Sequence, residues 1–135
     1  TSCDFNQDSE PFCRFSQDST DNGDWTRHKG PTPTSDTEGY YIYQESDNVA
    51  NGQKVRLLSP ALSSLASQIC VQFRYYMYGT DNHNVLRVLS KRPEGEEEVW
   101  KKTGFQSPSW LKGSVTVSTP SSQSTTVSVS RSLKM

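Results

Sequence analysis

The 135-residue sequence is poor in hydrophobic residues, at 31%. No apolar run approaches the about 18 residues that a membrane-spanning helix needs. The net charge of −1 gives no excess of basic residues for nucleic acid. The chain begins at Thr1 without a signal-peptide pattern. We therefore expect one domain cut from a longer protein, with no nucleic-acid partner and with membrane attachment only through other parts of that protein.

Motifs for catalysis are also missing. No serine lies in a G-x-S-x-G turn, and no glycine-rich loop is present to hold a phosphate. His28 and His83 lie in polar stretches, where a solvated loop residue is the simplest interpretation. The glutamates around Glu96 are consecutive, so they do not oppose one another across a cleft. The sequence predicts no catalytic residues, no enzymatic activity and no cofactor.

The acidic stretch "DSTDNGD" is the best candidate for a metal site. In an EF-hand loop starting at Asp18, the third position is Thr20 and the twelfth is Lys29, which cannot supply the ligands needed there. The stretch is typical of a turn that satisfies its own backbone groups. A different calcium site built from Asp18, Asp21 and Asp24 is the alternative, but we predict no metal.

The three cysteines are Cys3, Cys13 and Cys70. A disulfide between the first two would close a short loop and stabilise the fold by about 2–3 kcal/mol. Free thiols and a metal-binding pair are the alternatives, although zinc sites need a second close pair of cysteines or histidines. Cys70 is left without an obvious partner in this chain.

Period-two alternation, which is typical of strands with one buried face, is the most frequent pattern. In residues 70–79 it places Val71, Phe73, Tyr75 and Met77 on one face, so we assign structural roles to Phe73 and Tyr75. Other predicted strands are "GYYIYQE", "KVRLLS", "NVLRVLSK", "EEVWKKT" and "GSVTVS". Short strands divided by turns predict an all-β, antiparallel β-sandwich over residues 1–118.

Residues 119–135 form a Ser/Thr-rich tail of low complexity. We expect this tail to be partly disordered or to contribute one weak strand, "TTVSVS".

Aromatic residues on the outward face are the strongest sign of a binding surface. Tyr41, Tyr43, Tyr76 and Tyr78 exceed what one sandwich face needs. Cross-strand packing on both sheet faces is one explanation. A recognition face is the other, because tyrosine is enriched at interfaces. We name Tyr76 and Tyr78 as candidate binding residues.

The stretch "CDFNQDSEPFCRFSQD" followed by "GDWTR" resembles the start of a MAM domain, an extracellular module of meprins, neuropilins and receptor-type phosphatase mu. The resemblance continues through "GYYIY", "VRLLSPAL", "CVQFRYYMYG" and "VWKKTGFQSPSW" to about residue 117. It implies a jelly-roll β-sandwich, an extracellular setting and an adhesive role without catalysis. It also implies that Cys3 pairs with Cys13 and that Trp25 has a packing role.

The resemblance fails at the C-terminal end. MAM domains normally end with a strand that carries an Asp-Asp-Ile-like stretch and a fourth cysteine, whereas this chain ends with "TPSSQSTTVSVSRSLKM". We therefore expect the final strand to be missing, Cys70 to be unpaired and any cation site on that strand to be lost. A missing strand would leave an exposed sheet edge, which "TTVSVS" would fill only in part. An exposed Cys70 would be available for an intermolecular bridge.

The resemblance implies a cell-surface adhesion module that binds extracellular proteins or glycoproteins. The phrases "EPFCRFSQDSTDNGDW" and "QSPSWL" resemble most the MAM domains of a sperm surface protein, which adds the egg coat to the expected partners. The alternatives are an oligomerisation module of an ectoenzyme or receptor, a homo-oligomer in that case, and a glycan-binding sandwich. A truncated product without function is a further one.

Overall fold

The computed structural model describes residues 3–20, 23–32, 39–44, 54–62, 66–79, 84–121 and 123–133. These residues form strands, turns and loops, and none of them forms a helix long and apolar enough to cross a membrane. The strands are β1 Ser16–Gln17, β2 Thr26–Lys29, β3 Tyr40–Tyr43, β4 Lys54–Leu58, β5 Gln68–Tyr75, β6 Asn84–Arg92, β7 Gly95–Thr103, β8 Leu111–Ser118 and β9 Thr126–Leu133.

The strands pair antiparallel in three sheets. The largest has five strands in the order β1-β4-β9-β6-β7, and the other two are the pairs β2–β3 and β5–β8. The predicted all-β, antiparallel fold class is therefore confirmed. Strands β6 and β7 pair residues that lie close together in the sequence. Strands β5 and β8 pair residues about forty positions apart in the sequence.

The expectation that the final strand is missing is wrong. Residues Thr126–Leu133 form β9, which pairs with β4 on one side and β6 on the other. Val129 lies between Leu57 of β4 and Val88 of β6 in the two ladders. The tail is therefore not a weak strand here, because both of its edges are hydrogen-bonded. A domain boundary at residue 118 would remove the central strand of this sheet.

The exposed edge expected from a missing last strand is not found in the five-stranded sheet, where the described strand β9 is paired on both sides. The edges of the five-stranded sheet are β1, which has two residues, and β7. Strand β7 has the sequence "GEEEVWKKT", so its edge carries charges of both signs. Short and charged edges are the usual protection against pairing with another chain.

The hydrophobic core lies between the five-stranded sheet and the β5–β8 pair. Val88 of β6, Val117 of β8 and Val127 of β9 are its buried centre. Partly buried side chains pack around them, and these are Leu62, Ile69, Val71, Phe73, Val99, Trp100 and Val115. Because strands with period two present alternate residues to one side, two sheets that each carry valine at those positions close over one another.

Phe73 and Tyr75 project from β5 towards β7. The Phe73 ring lies edge-on to Trp100 with centroids 4.8 Å apart, and the Tyr75 ring does the same at 5.0 Å. Tyr75 is 7% exposed, and Met77 beyond it is 6% exposed. Gly113 is opposite Phe73 on β8, and a Cβ atom there would lie inside van der Waals contact with the Phe73 ring. This glycine leaves the space that the ring occupies.

Cys3 and Cys13 form a disulfide with their Cα atoms 5.8 Å apart, which confirms the predicted pairing. The loop that this disulfide closes is attached to the β2–β3 pair. Arg27 donates from Nε to the carbonyl oxygen of Phe5 at 2.7 Å. The Asn6 side-chain oxygen accepts from the backbone N–H of Tyr40 at 2.9 Å.

Trp25 is half-buried and lies directly before β2. The Gln17 side chain holds its backbone twice, because Gln17 Nε2 donates to the Trp25 carbonyl at 2.8 Å and Oε1 accepts from the Trp25 N–H at 3.0 Å. Gln17 is in turn opposite Leu57 in the β1–β4 ladder. The segment before β2 is therefore connected to the five-stranded sheet.

Replacing Gly113 tests this packing. We expect Gly113→Ala to lower the free energy of unfolding by about 1–3 kcal/mol, because the added methyl group displaces the Phe73 ring. Denaturant unfolding of Ser114→Ala, which changes an exposed neighbour, serves as the control. Equal stability of Gly113→Ala and the original chain would contradict the packing, whereas partial rescue by adding Phe73→Leu would support it.

The cysteine chemistry gives a second test. Cys70 is free and exposed, so a maleimide should label one thiol per native chain without denaturant. Reduction under denaturing conditions should raise the count to three, because it opens the Cys3–Cys13 bridge. Intact mass spectrometry reads both numbers. Labelling of Cys3 or Cys13 in the native, unreduced chain would contradict the pairing.

Candidate recognition surface

The β2–β3 pair presents three rings on one face. His28 is opposite Tyr41 in the ladder, and Tyr43 lies two positions further along β3, so all three point the same way. The His28 ring lies edge-on to Tyr41 and Tyr43, with centroids 5.6 and 5.7 Å away. The opposite face carries Tyr40, whose ring lies under the Arg27 guanidinium at 3.6 Å.

Trp110 joins this group to the β5–β8 pair. It directly precedes β8, and its ring centroid is 5.6 Å from that of Tyr41 and 5.6 Å from that of Tyr76, which directly follows β5. Tyr76 and Trp110 occupy the next outward positions beyond Arg74 and Lys112, which are opposite each other in the ladder. Antiparallel pairing therefore brings two rings together from positions 34 residues apart in the sequence.

Two further rings extend the group at its other end. Tyr78 lies 6.3 Å from Tyr76, and Phe105 lies 5.9 Å from Tyr78, both measured between centroids. The loop that carries Phe105 is fixed beside this segment, because the N–H of Gln106 donates to the carbonyl of Met77 at 3.0 Å. Tyr78 is 50% exposed and Phe105 is 49% exposed, unusual values for such large side chains.

These contacts form one continuous surface, which we call the aromatic strip. It consists of His28, Tyr41, Tyr43, Tyr76, Tyr78, Phe105 and Trp110. Each ring contacts at least one other ring of the strip edge-on or tilted, the arrangements that aromatic pairs prefer. The ring positions are therefore set before any partner arrives.

The sequence identified part of this surface. The candidate binding residues Tyr76 and Tyr78 lie side by side in it, together with Tyr41 and Tyr43. His28 was predicted to be a solvated loop residue; it is exposed, but it lies on strand β2 and contacts the rings of Tyr41 and Tyr43. His83 lies outside the described residues.

Trp110 and Phe105 were not predicted. Residues 110, 112 and 114 lie on one face of the β8 segment. The outward position of Trp110 could therefore be predicted from the alternation of the sequence. Phe105 follows a glycine in a loop and belongs to no periodic pattern. Its place beside Tyr78 depends on a tertiary contact between two loops.

The Tyr41 phenol at the centre of the ring contacts is uncharged. Burial raises the pKa of Tyr41 above its usual 10.0, and the neighbouring phenols of Tyr43 and Tyr76 raise it further. The Tyr41 hydroxyl consequently keeps its proton at any physiological pH. It donates a long hydrogen bond of 3.4 Å to the carbonyl oxygen of Pro31.

The described residues contain no group of three or more histidine, cysteine, aspartate or glutamate side chains that would hold a metal ion. The Asp18 carboxylate accepts hydrogen bonds from the Thr20 N–H at 2.8 Å and the Thr20 hydroxyl at 2.6 Å, and these bonds lower the pKa of Asp18. Asp24 is exposed, and Asp21 lies outside the described residues. Asp18 therefore belongs to a turn of the kind that the sequence predicts.

Cys70 lies on the outward face of β5, with its sulfur 3.4 Å from the Ser114 hydroxyl. It is exposed and forms no disulfide in this chain. Its role in an intermolecular bridge stays a prediction.

Comparison with known proteins agrees with this architecture. A family model for the MAM domain, meprin/A5/mu, matches residues 3–133, which include β9. In an alignment of 132 residues the chain is 38% identical to human zonadhesin, and this alignment covers 87% of the chain. In an alignment of 121 residues it is 39% identical to human MAM domain-containing protein 2, with 82% of the chain covered. In an alignment of 129 residues it is also 36% identical to MAM domain-containing glycosylphosphatidylinositol anchor protein 1 of Gallus gallus, with 82% of the chain covered.

The chain spans only a small part of these relatives, namely 5% of human zonadhesin, 17% of human MAM domain-containing protein 2 and 14% of the Gallus gallus protein. The similarity therefore concerns one module and not the whole of any relative. Because the family model covers nearly all of the chain and several relatives exceed 30% identity, the chain belongs to the MAM domain family.

Proposed function

We propose that this chain is a non-catalytic recognition module in the extracellular part of a longer adhesive protein, and that the aromatic strip is its contact surface. Membership of the MAM family supports an adhesion-type extracellular module. The observation that carries the proposal is the position of Tyr78 and Phe105, which expose about half of their surface beside five other rings. Exposed aromatic groups of this kind mark interaction sites.

The construction of the strip suits binding. Tyrosine and tryptophan supply large contact areas at a small entropic cost, because each has only two side-chain torsions. In this strip the ring contacts restrict those torsions further: Trp110 is held between Tyr41 and Tyr76. A partner that covers Tyr78 and Phe105 therefore loses little affinity to ordering of this surface.

We propose extracellular proteins or glycoproteins as partners, with glycoproteins of the egg coat among them. The similarity to zonadhesin supports the second part of this proposal. Membrane attachment would come from other parts of the full-length protein. Where several modules of this kind occur in one protein, weak single contacts add through multivalency.

An oligomerisation role has less support. Self-association of β proteins often uses a free sheet edge. The edges of the five-stranded sheet, the two-residue β1 and the charged β7, are poor templates for pairing, whereas among the described strands β5 and β8 each pair on one side only. We propose binding to other molecules as the main use of this module because the aromatic strip presents exposed rings.

Removing the exposed rings tests the proposal. We expect the double variant Tyr78→Ser and Phe105→Ser to bind at least about tenfold more weakly to isolated egg-coat glycoproteins, because exposed aromatic anchors dominate interface energies. The matched control exchanges the rings, Tyr78→Phe with Phe105→Tyr, and should bind normally. Surface plasmon resonance measures the affinities, and a thermal melt checks that each variant folds. Full binding by a folded ring-less variant would contradict the proposed contact surface.

A further inference from the structure

The outward face of the β5–β8 pair is a second exposed surface, continuous with the aromatic strip. Its residues alternate with the core residues of the same strands, and all are exposed. They are Gln68, Cys70, Gln72 and Arg74 on β5, and Lys112, Ser114, Thr116 and Ser118 on β8. We call these eight residues the outer track. It contains no acidic residue.

Arg74 and Lys112 form the charged part of the outer track. They are direct partners in the antiparallel ladder, so two positive side chains lie next to each other on the same face. Like charges directly opposite each other destabilise a sheet. Within the described part of the chain, neither forms an ion pair with a carboxylate.

Other arginines of the chain differ in this respect. Arg27 pairs with Asp8 at 2.9 Å, and Arg87 of β6 pairs with Glu98 of β7 at 2.8 Å. Arg56 and Arg92 also lie within ion-pair distance of glutamates. Two cations that are adjacent, exposed and without a described carboxylate partner therefore form a local excess of positive charge, although the chain as a whole has a net charge of −1. This charge favours an anionic ligand.

The surroundings of the cation pair narrow the class of anion. On one side lie the half-buried rings of Tyr76 and Trp110, which are tilted against each other with centroids 5.6 Å apart. On the other side it meets Gln72 and Ser114, which are ladder partners and offer an amide and a hydroxyl. Half-buried rings, exposed cations and exposed neutral hydrogen-bonding groups thus follow one another along the two strands.

We propose that this track binds an anionic glycan, with sugar rings against Tyr76 and Trp110 and with sulfate or carboxylate groups between Arg74 and Lys112. The flat C–H face of a sugar ring packs on an aromatic ring, while its hydroxyls reach groups such as Gln72 and Ser114. Arginine forms forked pairs of hydrogen bonds with the oxygen atoms of carboxylates and tetrahedral oxyanions, and lysine adds a compact charge. This inference rests on the proposed function and names the ligand class for the centre of the aromatic strip, where Tyr76 and Trp110 lie.

An acidic peptide is the competing ligand. It would meet the same charges, but exposed ion pairs add little by themselves. The rings next to the cation pair give no advantage to a ligand that offers only carboxylates. A glycan uses the rings, the cations and the polar neighbours together, so the arrangement favours it.

The test uses a heparin-derived hexasaccharide as the probe and isothermal titration calorimetry at low salt as the measurement. We expect the double variant Arg74→Gln and Lys112→Gln to bind this probe about tenfold more weakly, because it loses two charge-assisted contacts. Binding to the original chain should weaken with added salt. The matched control, Lys91→Gln with Lys101→Gln, removes the same charge from exposed positions on the five-stranded sheet and should bind the probe normally.

Three outcomes would overturn the proposal: no binding of the hexasaccharide to the original chain, equal loss in the control variant, or equal affinity for an oligoglutamate peptide of matched charge. The first two outcomes exclude a local glycan site, and the third means that the site recognises only the charge of its ligand. A separate comparison distinguishes failure of the glycan proposal from failure of the proposed recognition function. If the Tyr78 and Phe105 variant loses egg-coat binding while the Arg74 and Lys112 variant does not, the recognition surface stands and the glycan assignment falls.

Discussion

The hydrogen-bonding of β9 is the constraint on which the rest of this module depends. In the five-stranded sheet, β4 and β6 do not pair with each other, and only β9 connects them. Without it the β1–β4 pair would separate from the β6–β7 hairpin, and Val127 would leave the core centre that it shares with Val88 and Val117. The β5–β8 pair packs on that core, and its outward face carries the outer track and part of the aromatic strip. The surface proposed for recognition is thus supported by the last strand of the chain.

The five-stranded sheet and the β5–β8 pair differ in the surroundings of their arginine and lysine side chains. On the five-stranded sheet, Arg56 and Arg87 lie beside glutamates of β7, so these two charges are compensated. On the β5–β8 pair, positive charge is left beside aromatic rings. Because exposed ion pairs contribute little to stability, this difference has little effect on folding. Its main consequence is that the cation pair Arg74 and Lys112 lies next to the rings of the aromatic strip in the two strands that carry it.

Local patterns predicted the parts of this structure that depend on neighbouring residues. The alternation through Val71, Phe73 and Tyr75 gave the strand and its inward face, and the same alternation placed Tyr76 and Tyr78 outward. The strip as a whole was not predictable, because Trp110 meets Tyr41 only through the packing of separate sheets. The role of β9 was missed for a different reason. Its sequence alternates with a period of two, but its serine-rich composition is typical of a weak strand, and the acidic ending typical of MAM domains is absent.

The measurement that tests this account most directly is native-state hydrogen exchange of the β9 amides, followed by mass spectrometry. An amide that is hydrogen-bonded in a central strand exchanges only when the sheet opens, so β9 should exchange as slowly as β6 and far more slowly than the exposed residues Ser121 and Ser124 before it. Exchange of β9 at the rate of these two residues would contradict the central position of the strand. It would also remove the structural support for the recognition surface.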